Sequence, residues 1–247
     1  MRKNLVLTST ILLALMITAI ALMSYFKKRE QYKALRKPTQ NDTKQFLEIV
    51  NIFKQGKQEG IVAAQLRIGA DELKYLEGIG EIPYLNFYRT TIKNSDLELI
   101  AKIPGLTALD LTETRITDEG LKYLEKHPTL KVLWLNHIPI SDEGLKSITT
   151  IPHLEELHLW MTNTTDAGCA TLAKIQTLKI LSLEVTMVTD RGARTLFPLK
   201  NLIELKTWNS KVSDAGRKAI RANWPKIKLD GKFADDEKEI TTVGNSL

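Results

Sequence analysis

The stretch LTALDLTETRITDEGLKYLEKHPT, residues 106–129, decides the fold of this chain because three similar stretches follow it directly. They are LKVLWLNHIPISDEGLKSITTIPH (130–153), LEELHLWMTNTTDAGCATLAKIQT (154–177) and LKILSLEVTMVTDRGARTLFPLKN (178–201). The four align without gaps, so the period is 24 residues. A fixed period between about 20 and 50 residues is typical of a solenoid, in which each unit buries its apolar face against its neighbours.

Weaker copies flank these four. LIELKTWNSKVSDAGRKAIRANWP (202–225) keeps most of the pattern, and IPYLNFYRTTIKNSDLELIAKIPG (82–105) keeps less of it. IGADELKYLEGIGEI (68–82) matches only the second half of the unit, as expected of an atypical repeat that caps a solenoid. The sequence therefore predicts six stacked repeats and an incomplete unit before them.

The first half of each unit predicts a strand that is buried on one face. Leu109 and Leu111 alternate, as do Leu157 and Leu159, with the period of two that a strand requires. Three residues after the second leucine, most copies carry a hydroxyl group, which we expect to bond the backbone where the chain bends. The residues at this place are Thr90, Thr114, Thr162, Thr186 and Ser210, with Ile138 as the exception.

The second half of each unit predicts a helix. A Thr or Ser followed by Asp, as in Thr117 and Asp118, supplies a hydroxyl and a carboxylate for the unpaired amides of a helix start. A glycine follows, as at Gly120, and we expect it to let the helix pack closely on the neighbouring strand. Each helix then directs one aliphatic side chain into the core, and these are Leu124, Ile148, Leu172, Leu196 and Ile220.

The pattern L-x-x-L-x-L-x-x-T-x-[IV]-[TS]-D-x-G resembles the leucine-rich-repeat superfamily, in particular its ribonuclease-inhibitor-like, F-box-type and bacterial branches with a T-D-x-G-L block. The resemblance covers residues 68–229. It implies an α/β solenoid shaped as a short horseshoe, with a parallel sheet on the concave side, helices on the convex side and protein recognition on the concave side. Cys169, Ala193 and Arg217 depart from the pattern, which has Leu there.

The amino-terminal segment predicts a membrane anchor. Residues 5–26, LVLTSTILLALMITAIALMSYF, carry no charge over 22 residues, and a helix rises about 1.5 Å per residue against a hydrocarbon core of roughly 30 Å. A cleaved signal peptide is the alternative, since Ala19 and Ala21 offer a small-x-small site. Six Lys or Arg residues follow the span within 27–37, and two precede it. This imbalance favours a single-pass membrane protein whose repeats face the cytoplasm.

These patterns divide the chain into five segments. Residues 1–4 are a short basic tail and 5–26 the transmembrane helix that precedes the solenoid. Residues 27–60 are a basic juxtamembrane stretch and helical connector. Residues 61–229 are the leucine-rich-repeat domain, and the polar tail 230–247 has little apolar surface to bury and is predicted to be disordered.

Composition narrows the classes of function. The formal net charge is +6, but much of the excess lies in the first 40 residues rather than on the repeats, which disfavours a nucleic-acid partner. Cys169 is the only cysteine, so neither an intramolecular disulfide nor a thiolate zinc site is expected. The sequence gives no sign of a cofactor or metal site, because His137 and His158 are out of step and no glycine-rich phosphate loop is present.

The residues that alternate with the buried leucines are expected to face solvent and to form columns about 4.8 Å apart across neighbouring strands. Three of the four tryptophans fall in these columns. Exposed clusters of large aromatic residues are typical of recognition sites. We therefore predict a partner-binding patch formed by Tyr88, Trp134, Trp160 and Trp208, with specificity tuned by Glu156, His158, Glu184, Glu204 and Lys206.

The sequence thus predicts a non-enzymatic module that binds a protein partner at a membrane. A self-associating scaffold of the membrane or envelope, and so a homo-oligomer, is the first alternative. An F-box-like ubiquitin-ligase adaptor is a weaker one, because no recruiting motif is evident in 38–58. A hydrolase built on His158 and Ser182 is disfavoured, since an open sheet face offers no oxyanion hole and no pocket that excludes water.

Overall fold

Each repeat forms one short strand at its first leucines and one short helix in its second half. The computed structural model describes residues 38–229. The strands are β1 (Ile61–Val62), β2 (Tyr84–Asn86), β3 (Ala108–Asp110), β4 (Val132–Trp134), β5 (Glu156–His158), β6 (Ile180–Ser182), β7 (Glu204–Lys206) and β8 (Lys228–Leu229). The helices are α1 (Gln40–Lys54), α2 (Ala70–Leu73), α3 (Leu97–Ile100), α4 (Asp118–Leu121), α5 (Gly144–Ile148), α6 (Asp166–Leu172), α7 (Asp190–Thr195) and α8 (Asp214–Asn223), and 3-10 turns lie at Lys74–Leu76, Asn94–Asp96 and Lys122–Leu124.

The strands form one parallel sheet in chain order, β1 to β8, with equivalent residues of successive repeats paired. Leu109 pairs with Leu133 and Leu133 with Leu157, all fully buried. The helices bury their aliphatic side chains in the same core. The predicted α/β solenoid is therefore confirmed for the repeats, and so is the predicted inward direction of Leu124, Ile148, Leu172, Leu196 and Ile220.

The hydroxyl residues close the bend after each strand. The hydroxyl of Thr114 donates to the backbone carbonyl of Leu111 at 2.6 Å, and Thr186 donates to Leu183 in the same way. Thr90, Thr162 and Ser210 make the equivalent bond. Ile138 has no hydroxyl to donate and is buried as an apolar side chain. The expected backbone bond at the bend is confirmed.

The aspartate of each Thr-Asp pair links its repeat to the next one. The carboxylate of Asp166 accepts the backbone N–H of Thr189 at 2.8 Å and its hydroxyl at 2.8 Å. Asp118, Asp142 and Asp190 bind Ser141, Thr165 and Ser213 in the same manner. Asn94 does this in the weaker repeat, where its amide oxygen accepts from the N–H of Thr117 and its amide nitrogen donates to the hydroxyl. The motif is therefore an inter-repeat clamp as well as a helix start.

The glycine of each repeat makes room for this clamp. A Cβ added to Gly192 would lie 2.3 Å from an oxygen of Asp166 and 2.9 Å from its backbone Cα. Gly144, Gly168 and Gly216 face the aspartate of the preceding repeat at similar distances. We expected the glycine to let its helix pack closely on the neighbouring strand. This was wrong, because the group that approaches the glycine most closely is the aspartate carboxylate of the preceding repeat, which the sequence pattern had assigned only to the helix start.

A left-handed residue follows the outward column in every repeat. Val185 has φ +54° and Met161 φ +55°, although neither is a glycine. The N–H of Val185 donates to the carbonyl of Trp208 at 2.9 Å, and that of Met161 to the carbonyl of Glu184 at 3.0 Å. The same conformation recurs at Gln65, Arg89, Glu113, His137 and Asn209. Each repeat therefore contains one residue with a strained backbone. That residue lies just after the strand, where its N–H continues the hydrogen bonding to the neighbouring repeat.

The stretch before the repeats caps the core. α1 begins at a capping box in which Asp42 accepts from the N–H of Thr39, and Asp42 also accepts the N–H of Arg67. Phe46 and Val50 of α1 are buried in the solenoid core. For 38–60 the connector interpretation is therefore incomplete, because this helix covers the first strand of the sheet.

Both end strands were missed by the sequence pattern. β1 pairs Ile61 with Leu85, and β8 pairs Leu229 with Leu205. They are two residues long and lack the leucine signature, so periodicity alone does not detect them. Within 38–229 no helix has the length and hydropathy that a membrane span needs. The segments 1–4, 5–26, 27–37 and 230–247 lie outside the described residues.

Replacement of Asp166 by alanine is expected to lower the free energy of unfolding by about 2 kcal/mol or more, because two charge-assisted hydrogen bonds to Thr189 are lost. Asp214→Ala is the matched control. Asp214 starts α8 but has no following repeat to clamp within 38–229, so its loss is expected to cost only about 0.3–1 kcal/mol. Chemical denaturation followed by circular dichroism measures both, and equal losses would contradict the clamp.

The clamp has a predicted pH dependence. Burial alone would raise the pKa of Asp166, but the two hydrogen bonds from Thr189 and the charge of Arg191 outweigh it and hold the pKa below its ordinary value. The stabilisation is therefore present above the unfolded pKa of about 3.9 and is lost as the pH falls through the folded pKa. The difference in free energy of unfolding between the native chain and the Asp166→Ala variant should accordingly become smaller below about pH 4.

Replacement of Val185 by asparagine is expected to raise the stability by about 1 kcal/mol, because a β-branched residue is strained at φ +54° and asparagine tolerates this conformation. The next repeat supplies the reciprocal test, since Asn209 holds the same conformation at φ +54°. Asn209→Val is expected to destabilise by a similar amount. Thermal denaturation measures both variants, and we expect the melting temperature to rise by roughly 2–4 °C for Val185→Asn and to fall by a similar amount for Asn209→Val.

Candidate functional site

The face of the sheet opposite the buried leucines is built from three columns of side chains, and we call it the open face. One column runs through Tyr84, Ala108, Val132, Glu156, Ile180 and Glu204; the second through Asn86, Asp110, Trp134, His158, Ser182 and Lys206; and the third through Tyr88, Thr112, Asn136, Trp160, Glu184 and Trp208. Side chains in one column stand on adjacent strands about 4.8 Å apart.

Trp134 lies in the middle of the open face between aromatic neighbours. Its ring stacks on the imidazole of His158, with centroids 5.5 Å apart and planes 16° from parallel. Tyr84 meets it edge-on at 6.2 Å. These contacts cover part of the indole, so Trp134 is half-buried and forms the floor of the face more than its rim.

Trp160 and Trp208 present more of their surface to solvent. Trp160 is 38% exposed and Trp208 is 51% exposed. The ring of Trp160 meets the imidazole of His137 edge-on, with the ring centroids 4.1 Å apart. The backbone N–H of Trp160 donates to the amide oxygen of Asn136 at 2.9 Å. Both Trp160 and Trp208 are therefore more exposed than Trp134 on the open face.

Charged side chains surround the aromatic residues. The carboxylate oxygens of Glu204 lie 3.5 Å from the Nζ of Lys206 and 3.1 Å from the Nζ of Lys228. Burial alone would raise the pKa of Glu204, but both ammonium groups outweigh it and hold the pKa below its ordinary value. The carboxylate of Glu184, between Trp160 and Trp208, accepts the hydroxyl of Ser182 at 2.9 Å. Glu204 is therefore ionised near neutral pH and Glu184 has a fixed orientation.

His158 is neutral near physiological pH. Burial lowers its pKa to about 4, and the positive charge of Lys206 acts in the same direction while Glu204 opposes it. Its Nε2 lies 3.8 Å from the carboxylate of Glu156, which is longer than a hydrogen bond. His158 therefore contributes to the open face as an aromatic plane that supports Trp134 rather than as a cation.

Tyr88 lies apart from the other aromatic residues that sequence analysis selected. The guanidinium carbon of Arg89 lies over the Tyr88 ring, 5.4 Å from its centroid, and the Tyr88 hydroxyl donates to the carboxylate of Glu113 at 3.3 Å. Arg89 also binds Glu113 at 2.8 Å. Tyr88 is three repeats from Trp160, roughly 14 Å at the spacing of parallel strands. The described contacts of Tyr88 are therefore with Arg89 and Glu113, and the predicted patch from Tyr88 to Trp208 extends over all six repeats.

One contributor to the open face was missed by sequence reasoning. His137 supports Trp160 through an edge-on ring contact. It lies in the bend after the strand, where alternation with buried leucines no longer assigns a direction. The positive φ that turns His137 is not signalled by a glycine, so the pattern offered no means of detecting it.

The residues considered for hydrolysis do not form a relay. Ser182 is almost fully buried and donates to Glu184, while His158 stacks on Trp134. Among the described residues, no group of three His, Cys, Asp or Glu side chains is placed to hold a metal ion. The arrangement of the open face is suited to contact with a surface or a side chain, through aromatic area and fixed charges.

The stacked imidazole of His158 gives a test of this geometry. Its proton-bound form should appear only near pH 4, measured by NMR from the ring proton shifts. Trp134→Ala should move the midpoint towards the unperturbed value of about 6.5, because the ring loses the aromatic cover that buries it. Since the unfolded chain binds this proton at a higher pH than the folded one, the folded state should lose stability as the pH falls from about 6.5 to 4.

Comparison with known proteins agrees with this architecture. A family model described as "Leucine Rich repeat" matches residues 105–124. Among solved structures, internalin C2 of Listeria monocytogenes is 19% identical with a TM-score of 0.53, over 79% of this chain and 99% of that one. A leucine-rich-repeat protein of Leptospira interrogans is 20% identical with a TM-score of 0.50, over 68% of this chain and 41% of that one.

No curated protein sequence matches the chain. At these identities the structural likeness concerns the fold alone. One repeat of this chain, at residues 105–124, matches the leucine-rich-repeat model, and the described part has the leucine-rich-repeat fold.

Proposed function

We propose that this chain is a non-enzymatic module that binds a protein partner on the open face of its sheet while residues 5–26 tether it to a membrane. The observation that carries the proposal is the exposure of Trp160 and Trp208, at 38% and 51%, on a face that also carries polar and charged side chains. Tryptophan dominates the binding energy of interfaces because it removes a large area from water at a small cost in side-chain entropy.

The surroundings of the two indoles support a protein partner over a membrane surface. Glu156, Glu184 and Glu204 lie beside them on the open face. Carboxylates oppose contact with anionic headgroups, whereas a polar rim around an apolar centre is the usual anatomy of a protein interface. Backbone bonds hold the columns in register, so the face is ordered before it meets a partner and little entropy is lost on binding.

The proposed tether has its support in the sequence. Residues 5–26 carry no charge and have the length to cross a bilayer, and a basic stretch follows them. We place the repeats on the cytoplasmic side for the same reason. The tether would hold the open face near the membrane, where a partner in the same compartment meets it at a raised effective concentration.

Paired substitution of Trp160 and Trp208 by alanine tests the proposal. The full-length chain is expressed in cells, recovered with the membrane fraction and chemically crosslinked there. A partner of different mass should be captured by the native chain, and its dissociation constant should rise roughly 30-fold or more in the double variant, because hot-spot residues contribute at least about 2 kcal/mol.

Tyr123→Ala is the matched control, since Tyr123 is an exposed aromatic residue on a 3-10 turn away from the sheet. It should leave capture unchanged. Capture that persists in the double variant would contradict the open face as the binding surface. Crosslinks between copies of this chain alone would contradict a separate partner and favour self-association, and recovery outside the membrane fraction would contradict the tether.

A further inference from the structure

The glycine of the later repeats is replaced by an acidic residue in the first two units of the solenoid. Gly120 and the four glycines that follow it at intervals of 24 residues are preceded, at the same interval, by Asp96 and Glu72. Both acids are buried, since Asp96 is 1% exposed and Glu72 is 5% exposed. A position that later repeats leave without a side chain therefore holds a buried carboxylate near the amino-terminal end.

These two carboxylates cap helical segments of their own unit. An oxygen of Glu72 accepts the backbone N–H of Gly69 at 3.0 Å, and an oxygen of Asp96 accepts that of Lys93 at 3.0 Å. Each bond joins residues three positions apart, as in a capping box. The hydrogen bond therefore stays within one unit in both cases and does not link that unit to the next.

The clamp between repeats is missing at the same place. Asn94 is the clamp residue of its repeat and binds both the N–H and the hydroxyl of Thr117 in the next one. The equivalent residue one unit earlier is Ala70, whose methyl side chain accepts no hydrogen bond. Lys93, which corresponds to Thr117, has no hydroxyl either. The side-chain clamp is therefore absent between Ala70 and Lys93.

Asp96 makes this boundary less favourable still. Its Oδ1 is buried and has no hydrogen-bond partner among the described residues. Burial raises the pKa of Asp96 and the charge of Glu72 adds to this, although the N–H and ammonium of Lys93 and the hydroxyl of Ser95 oppose it. A buried polar atom without a partner costs free energy, and more so when the group is charged. The boundary thus carries a cost where later boundaries carry a clamp.

Backbone hydrogen bonds continue the sheet across the boundary. The N–H of Gln65 donates to the carbonyl of Tyr88 at 2.7 Å. The equivalent bond four repeats later runs from Met161 to Glu184, and there the clamp from Asp166 is present in addition. The first boundary therefore keeps the backbone ladder of the later ones and lacks their side-chain link.

The segment before the boundary is bonded within itself, and we call residues 38–81 the amino-terminal cap. Asp42 of α1 accepts the backbone N–H of Arg67 at 3.2 Å, and the hydroxyl of Thr43 donates to Glu72 at 2.9 Å. The apolar face of α1 is buried in the core. The helix is therefore attached to the first unit by side-chain bonds that remain when the boundary opens.

We infer that the amino-terminal cap opens as one unit at its boundary with residue 82 while the repeats that follow stay folded. Opening frees the backbone edge of β2, which pairs with β1 in the closed chain. Trp134, Trp160 and Trp208 lie beyond the boundary, so the open face is kept. The cap is a conformational device at one end of the solenoid, and it does not depend on the proposed function.

Hydrogen–deuterium exchange of the full-length chain, read by mass spectrometry of peptic fragments, tests the inference. Hydrogen-bonded amides within 38–81 should share one protection factor, at least about tenfold lower than that of amides within 106–201. Protection should rise in one step near residue 82, because the cap opens as a unit. A gradual rise along the cap, as in simple fraying from one end, would overturn the inference, and so would equal protection on both sides of residue 82.

A graft of the later arrangement tests the cause. The triple variant Ala70→Asn, Lys93→Thr and Asp96→Gly copies the residues found 24 positions further on. Exchange of the cap should slow by about tenfold or more, because two hydrogen bonds are gained across the boundary and a buried carboxylate is removed. Protection within 106–201 should stay unchanged.

Asp71→Asn is the matched control, since Asp71 is exposed beside Ala70 and pairs with Lys74 inside the cap. It should leave the exchange of the cap unchanged. A graft that keeps the protection of 106–201 but does not slow the cap would overturn the inference. If the graft does not fold, the protection step of the native chain decides alone, in favour when it is present and against when it is absent.

Discussion

The bond between the aspartate of one repeat and the next repeat is the constraint on which the remaining structure depends. Each carboxylate accepts from both the N–H and the hydroxyl of the following Thr or Ser, as Asp166 does from Thr189. The glycine of the following repeat, Gly192, approaches so closely that a side chain there would displace the carboxylate. The linkage therefore needs three residue types at fixed positions, which explains why a Thr/Ser-Asp-x-Gly block recurs in the five repeats between residues 106 and 225.

This linkage fixes the translation from one repeat to the next, and the translation creates the open face. Once neighbouring repeats are held in register, every outward residue joins a column with its equivalents 24 positions away. The left-handed residues extend these columns beyond the strands, since the N–H of Met161 and Val185 bond the neighbouring repeat. Backbone strain at these positions is balanced by hydrogen bonds that would otherwise be lost.

The chemistry of the open face follows from single substitutions on this regular frame. The third column holds Tyr88, Thr112 and Asn136 in the earlier repeats, and Trp160, Glu184 and Trp208 in the later ones. The frame itself does not depend on these side chains, because the clamps and the leucine core lie elsewhere. Recognition can therefore be set residue by residue on a scaffold of constant geometry, which suits a module whose role is binding.

The period, the inward leucines and the outward columns could be predicted from residue order, because the alternation along a strand and the 24-residue repeat are both present in the sequence. The remaining features are visible only in the folded chain. It showed that α1 caps the core, that two-residue strands close both ends, and that Gly192 faces the Asp166 carboxylate. It also placed Tyr88 against Arg89 and Glu113 and turned His137 towards Trp160. These features depend on contacts between repeats and on backbone angles at residues other than glycine. Neither can be predicted from the residue types along the sequence.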